Sequence, residues 1–479
     1  MAGWCLFSRR TRFTRLPQAC KHTNIFRPSG PSSSDAVMYT RNCADRQRTT
    51  QTGENSMSVT PRGRGLALAL AAATMALSVT ACAAETSSGG DRNASANSTI
   101  PATDTATLKQ MATKVLNPDI DVDALAPEFQ KVLMAGSVPL TEAQRAIFND
   151  CMTKTTCETG QGTHTIALLS DLVHPYWSQA RAEIVSYAIK SGEVAKITYS
   201  DSGDDVQRHM TNWRNAIGQG SDLLIPWWST VGNQLGPVID QAKSAGIPVV
   251  NSFVSLEPAV ADKLTVEIKL DLCGMWESAA STLKQHLADK GVTDFTYAMF
   301  TGVPGNTYAP TWQPCAQEAL DGAGFTKVYD GTTDWSPQGT IQAASALRAS
   351  GRKPALIAYD ESAADFINAY TAAGDRDIPT IMLTGSTTLG TLNTYQRAKT
   401  EGFEPDVFLP PSHAWINAVP VAVGLEIKNG GKPSSDTLEY PMGIVNASDI
   451  VAQSDLSLPD VACNGSLLES RDTVEALKN

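Results

Sequence analysis

From residue 163 onward the chain alternates short apolar, β-branched runs with segments of helical spacing, and this rhythm limits the possible folds more than any other feature. Strands are predicted at 165–169, 197–199, 223–225, 248–250 and 265–268, then at 295–300, 327–329, 355–358, 380–383 and 407–409. Most start about 25 to 32 residues after the previous one, the length of a strand-helix unit. Between them, Val206, Met210, Trp213 and Ile217 share a helix face, as do Trp276, Ala280, Leu283 and Leu287, which assigns both tryptophans to a core. Continuous apolar strands separated by helices imply parallel sheets covered on both faces. The series divides into four units and a short fifth strand, then four more units and a tenth strand. The expected fold class is therefore α/β, with two doubly wound parallel-sheet lobes and a cleft between them.

In an open parallel sheet, ligands collect at the carboxyl ends of the strands. The residues just past those ends are unusual in type. They include Asp171, Tyr176 and Trp177 after the first strand, Trp227 and Trp228 after the third, and Asn251 after the fourth. The second half supplies Asn306, Tyr308 and Trp312, then Trp335, then Tyr359 and Asp360, and finally His413 with Trp415. Six of the eight tryptophans beyond Cys82 lie in such loops, whereas core residues would sit on helix faces or inside strands. Flat rings with scattered hydrogen-bonding groups suit a ligand with apolar faces and polar edges, such as a pyranose or furanose. These fourteen residues are the candidate ligand-binding set.

The front of the chain reads differently. Residues 1–56 are basic and show no apolar periodicity, so they are expected to lie outside the mature protein. From Met57 the sequence MSVTPRGRGLALALAAATMALSVTAC places Arg62 and Arg64 before an apolar run that ends at Val79, Thr80, Ala81 and Cys82. This resembles a bacterial lipoprotein signal, 57–81, with Cys82 as the lipid-bearing residue and the protein held outside the cytoplasm at the cell membrane. The apolar run is shorter than the roughly 20 residues needed to span a bilayer. Residues 82–103 read as a flexible tether rich in Ser, Ala, Asn, Thr and Gly. Three short helices are predicted near 105–115, 124–133 and 141–151, within an extension, 104–162, that shows no chemistry.

Cysteine usage fits an oxidising compartment. Cys151 and Cys157 are close enough to close a small loop, and Cys273 with Cys315 would tie two segments of one half. Cys463 is left over as a thiol.

The segments TIALLSDLVHPYWSQARAEI, SDLLIPWWST, AGIPVVNS and KPALIAYDESAADFINAYTAAG together resemble the type I periplasmic sugar-binding proteins, particularly the ribose-binding-like group. The resemblance covers about residues 163–452. It implies a bilobed receptor with a three-strand hinge, lobe 1 being 163–270 with 411–440 and lobe 2 being 271–410 with 441–460, followed by a tail, 461–479. It also implies a monomer that closes on a sugar or polyol and delivers it to an ABC permease, with Tyr176 and Trp177 as stacking rings. The chain departs from the group where an Asp-Arg pair is replaced by Phe253 and Val254, where Ala309, Pro310 and Trp312 replace an Arg, and where Gly385 and Ser386 replace an Asp. Aromatic rings stand in place of charged clamps.

Other functions are disfavoured. A formal net charge of -11 argues against nucleic acid as a partner. Asp204 with Asp205, and Asp360 with Glu361, are sequence neighbours that need not flank one bond. No Gly-x-Ser-x-Gly elbow occurs, the Gly302 to Gly305 turn lacks a phosphate-loop lysine, and the histidines show no metal-ligand spacing. Binding without catalysis and without a cofactor is the expectation. Two alternatives remain: a receptor of the same fold for a cationic amine, caged by indoles, and a ligand-sensing lipoprotein that presents to a membrane kinase.

Overall fold

The computed structural model describes residues 98–171, 174–203, 205–227, 232–252, 256, 258–385 and 387–478. The signal segment, Cys82, Trp228, Phe253, Val254 and Ser386 lie outside the described residues.

Helices α1 (Thr105–Lys114), α2 (Pro127–Gly136) and α3 (Glu142–Thr153) lead to strand β1 (Thr156–Glu158). A first series follows: β2 (His164–Ser170), α4 (Pro175–Ser191), β3 (Val194–Asp201), α5 (Val206–Gly218), β4 (Leu223–Pro226), α6 (Gly236–Ser244), the short α7 (Pro258–Ala261) and β5 (Glu267–Leu270). A second comprises α8 (Leu272–Asp289), β6 (Thr296–Thr301), α9 (Ala309–Gly322), β7 (Thr326–Thr332), α10 (Pro337–Ala349), β8 (Leu356–Tyr359), α11 (Ala364–Ala372), β9 (Thr380–Leu383), α12 (Leu389–Thr400) and β10 (Val407–Leu409). The chain then forms α13 (Val419–Lys428), β11 (Thr437–Tyr440), β12 (Val445–Asn446), α14 (Ala447–Ile450) and α15 (Ser470–Ala476).

Two sheets result. The first has the order β1-β3-β2-β4, extended by bridges from Leu224 to Val249 and from Val250 to Val266 toward the parallel pair β5-β11. The second has the order β12-β10-β9-β8-β6-β7. The expected α/β lobes are present, with one correction: each sheet carries an antiparallel edge, β1 on β3 and β12 on β10. These two-to-three-residue strands are too short to show a period in sequence.

The apolar runs form the core because both sheet faces are covered. Ile166, Leu168, Leu224 and Ile225 in the first lobe, and Ile357, Ile381 and Met382 in the second, are fully buried. Trp213 and Trp276 are buried on the helix faces expected of them.

The predicted extension helices pack onto the first lobe. Thr141 caps α3 with a full capping box, its hydroxyl accepting from Gln144 N–H and the Gln144 side chain accepting from Thr141 N–H. The end of the expected tether is also docked: Thr99 N–H donates to Lys190 O at 2.9 Å and Gln144 donates to Thr99 Oγ1. Disulfides join Cys151 to Cys157 at the end of α3, and Cys273 to Cys315 between α8 and α9. No described helix is long and apolar enough to cross a membrane.

Candidate functional site

A cavity of about 650 Å³ lies between the lobes, at the carboxyl ends of β2, β7, β8 and β9. From the first lobe, the start of α4 contributes His174, Tyr176 and Trp177. His174 is the N-cap of this helix, its Nδ1 accepting from Tyr176 N–H at 3.2 Å, and burial lowers its pKa. The ring is therefore neutral and carries its proton on Nε2. Trp177 stacks on Trp227 with centroids 5.3 Å apart and planes 13° apart. Tyr176 meets Trp177 edge-on at 4.9 Å and lies 5.8 Å from His413, while its hydroxyl accepts from Asn417 Nδ2 at 3.0 Å. These contacts fix the rings before any ligand arrives.

The second lobe contributes Tyr308, Trp335 and Asp360. Asn306 Oδ1 accepts from the N–H groups of Tyr308 and Ala309, which sets the entry to α9, and Tyr308 hydroxyl donates to Thr384 O at 3.1 Å. Asp334 and Trp335 both have left-handed backbone, with φ of 54° and 46°. Non-glycine residues rarely adopt this conformation, and it concentrates at binding sites where surrounding contacts enforce it. Those contacts are present. Trp335 Nε1–H donates to Asp360 Oδ1 at 2.9 Å, and the ring lies so close to Gly302 that a Cβ there would fall 2.1 Å from it.

Asp360 is a hub. Its Oδ2 accepts from Thr301 and, at 3.3 Å, from Trp312 Nε1–H. Burial pushes its pKa up to about 6, opposed by these donors, so it is ionised at neutral pH and its acceptor sites are engaged with the protein. Glu361 beside it is pushed up to about 8, first by burial and then by the carboxylates of Asp360 and Asp365. At pH 7 it is a neutral acid with a proton to donate.

His413 also lines the cavity, whereas Asp171, Trp227, Asn251, Asn306, Trp312, Tyr359 and Trp415 are buried behind this surface. Trp227 backs Trp177, and Asn306 positions Tyr308. Asp171 is buried, with its carbonyl accepting from Ser202 hydroxyl, and Asn251 Oδ1 accepts from Ile268 N–H at 2.8 Å, tying strands within the first lobe. Trp312 stacks on Trp276 with centroids 6.0 Å apart. Tyr359 points into the second core, where its hydroxyl bonds with Thr333 and Thr340 and its ring meets Phe366. Trp415 packs against Phe129 and Tyr440, its Nε1–H donating to Ser412 O. Trp312, on α9, Tyr359, at the end of β8, and Trp415 all turn inward because an apolar neighbour surface is available there.

Sequence reasoning missed Glu361, Asp365 and Arg397, which line the cavity on or beside α11 and α12, and also Asp460, Val461 and Cys463 from the chain's end. Glu361 was legible as part of an acidic pair, but not its burial. Among the described residues no cluster of His, Cys, Asp or Glu could hold a metal ion.

Residues 167–397 match the family described as "Periplasmic binding protein domain". No curated protein matches the chain. Among solved structures, similar ones include a protein from Mycobacterium smegmatis in complex with β-D-fucofuranose, with 17% identity, a TM-score of 0.50, and 61% of this chain and 93% of that one covered. A galactofuranose binding protein shows 15% identity and a TM-score of 0.50 over 62% and 98% of the two chains. A glucose-galactose binding protein from Geobacillus stearothermophilus shows 15% identity and a TM-score of 0.50 over 60% and 99%. At this identity the likeness is one of fold. Two parallel-sheet lobes with a cavity between them give this chain the type I periplasmic binding protein fold, and residues 167–397 are similar to the periplasmic binding protein domain.

Proposed function

We propose that the protein is an extracytoplasmic solute receptor that captures a sugar or polyol between its lobes and delivers it to an ABC importer, anchored through lipid on Cys82. The observation that carries this reading is the cavity itself. Prefixed rings from opposite lobes, Tyr176 and Trp177 on one side and Trp335 and Tyr308 on the other, enclose hydrogen-bonding groups such as His174, Glu361 and Thr388. Rings offer a face to ring C–H groups, and the polar groups offer partners to hydroxyls. The volume lies within the ordinary range for small-ligand sites. The similar proteins, one in complex with β-D-fucofuranose and the others binding galactofuranose and glucose-galactose, support the same ligand class.

A second reading, a cationic amine, is supported by Asp360, Glu361, Asp365 and Asp460 lining the cavity with Arg397. A thermal-shift panel of pyranoses, furanoses, inositols and quaternary amines separates the two, because a ligand that binds only the native state raises the midpoint. Stabilisation by sugars or inositols alone supports the first reading. Stabilisation by quaternary amines alone overturns it.

A further inference from the structure

Three passages between lobes are evident: from β5 to α8, from β10 toward α13, and from β11 to β12. The end of the chain makes a fourth. After α14 the backbone lies along the start of α12 in the second lobe, where Gly390 N–H donates to Asp460 O, Leu389 N–H to Ala462 O and Asn464 N–H to Thr387 O, at 2.7 to 2.9 Å. Thr388 and Cys463 form an antiparallel bridge there.

The same few residues are bonded to α4 of the first lobe. Cys463 N–H donates to Gln179 Oε1 at 2.8 Å, and Gln179 Nε2 donates back to Cys463 O. Buried Glu183 Oε1 accepts from Ser466 hydroxyl at 2.6 Å and from Leu467 N–H at 3.0 Å. Lys114 Nζ donates to Leu467 O, and α15 is then held on the first lobe by Arg145, whose Nε donates to Asp472 at 2.7 Å. Gly465 makes the passage at φ 74°, so close to the second passage that a Cβ would lie 2.7 Å from Ser412 Cβ.

We propose that residues 460–468 are a clasp that limits how far the cleft can open, and that Asp460 and Val461 form part of its outer wall. Three passages allow one lobe to rotate on the other. A fourth, hydrogen-bonded to both lobes within nine residues, opposes that rotation unless one set of bonds is released. Because Asp460, Val461 and Cys463 line the cavity, release also widens its mouth. These residues lie beyond the stretch 167–397 that matches the binding-protein family. The inference goes beyond the ligand reading, and none of its readouts needs a ligand.

Hydrogen exchange on the unliganded full chain tests it, together with small-angle scattering. In the unaltered protein, the amides of Leu389, Gly390, Cys463 and Asn464 are expected to exchange at one common rate, faster than Leu168 and Ile357 in the sheets. Gln179→Ala removes the side-chain partner of Cys463 N–H and of Cys463 O, and of none of the other three amides. If the clasp is one unit, all four amides speed up about tenfold or more, the sheet amides stay unchanged, and the radius of gyration rises. Gly465→Val, acting at the other end of the clasp, is expected to do the same. Four unrelated rates in the unaltered protein would overturn the proposal. So would faster exchange at Cys463 alone with unchanged scattering. A variant whose sheet amides also lose protection is unfolding globally, and the wild-type rates then decide.

Discussion

Trp335 is held against Asp360 by a 2.9 Å hydrogen bond from its indole N–H, while Gly302 leaves the space in which the ring lies. This pair links the loop after β7 to the end of β8 and presents one wall of the cavity in a fixed orientation. It also accounts for the left-handed backbone at Asp334 and Trp335, whose strain, of order 1–3 kcal/mol per residue, is offset by contacts that form only in this arrangement.

Gly302→Ala is therefore expected to expel the Trp335 ring. A methyl group there overlaps the indole, not a flexible chain end. Ligand affinity should fall about tenfold or more, which is ~1.4 kcal/mol, and indole emission should shift to the red. Calorimetric titration and fluorescence check this. An unchanged affinity would mean that the ring does not touch the ligand.

The pH dependence of binding should identify the ligand's charge. Glu361, with its pKa pushed up to about 8, donates its proton to a neutral hydroxyl-bearing ligand, so affinity should fade as pH rises through 8. A cation favours the ionised form, so its affinity should grow over the same range. Without ligand, the raised pKa makes the native state bind more protons than the unfolded one between about 4.5 and 8, and its contribution to stability declines as pH rises through that window. Titrations between pH 6 and 9, repeated in Glu361→Gln, read out both effects; the variant should show neither.

His209 should act in the opposite sense. Its Nε2 accepts from Trp213 Nε1–H at 3.0 Å, so the buried ring is neutral with its proton on Nδ1, facing Ser170 O. Burial lowers its pKa to about 4. Between about 4 and 6.5 the unfolded chain binds the proton and the native state does not, so stability is lost as pH falls, by up to about 3 kcal/mol. NMR titration of the imidazole should show no protonation at pH 6. Titration near 6.5 would contradict the assignment.

The disulfides should differ in effect. Cys273 and Cys315 are 42 residues apart, against 6 for Cys151 and Cys157. By loop entropy the longer link stabilises by about 4 kcal/mol and the shorter by about 2. Guanidinium unfolding of the two Cys→Ser double variants measures this, and a larger loss from the shorter loop would contradict the entropic account.

All ten strand positions were legible in sequence as apolar runs, nine forming strands and 248–250 only the bridges at Val249 and Val250. Continuous apolar runs mark two-sided burial. The short edge strands were not legible, because two or three residues carry no period. For the cavity, sequence located the loops but not the direction of each side chain. Trp335 and Trp312 both follow strand ends, yet Trp335 faces the cavity because Gly302 and Asp360 hold it there, and Trp312 turns onto Trp276. Such a choice depends on partners distant in sequence. The same holds for Asp460 and Cys463, which reach the cavity only through bonds to α12 and α4.

The most direct test of the account titrates the best ligand from a panel of pyranoses, furanoses and inositols into the wild type, Tyr176→Ala and Trp335→Ala, with Trp312→Ala as a core control. Tyr176 and Trp335 come from opposite lobes, so each truncation is expected to weaken binding about tenfold or more while leaving the unfolding midpoint within a few degrees of wild type. Trp312→Ala, which removes a fully buried ring, should instead cost about 3–5 kcal/mol of stability. Wild-type affinity in both cleft variants, or no binding by any member of the panel, would contradict the central claim that a sugar or polyol is held between these two rings.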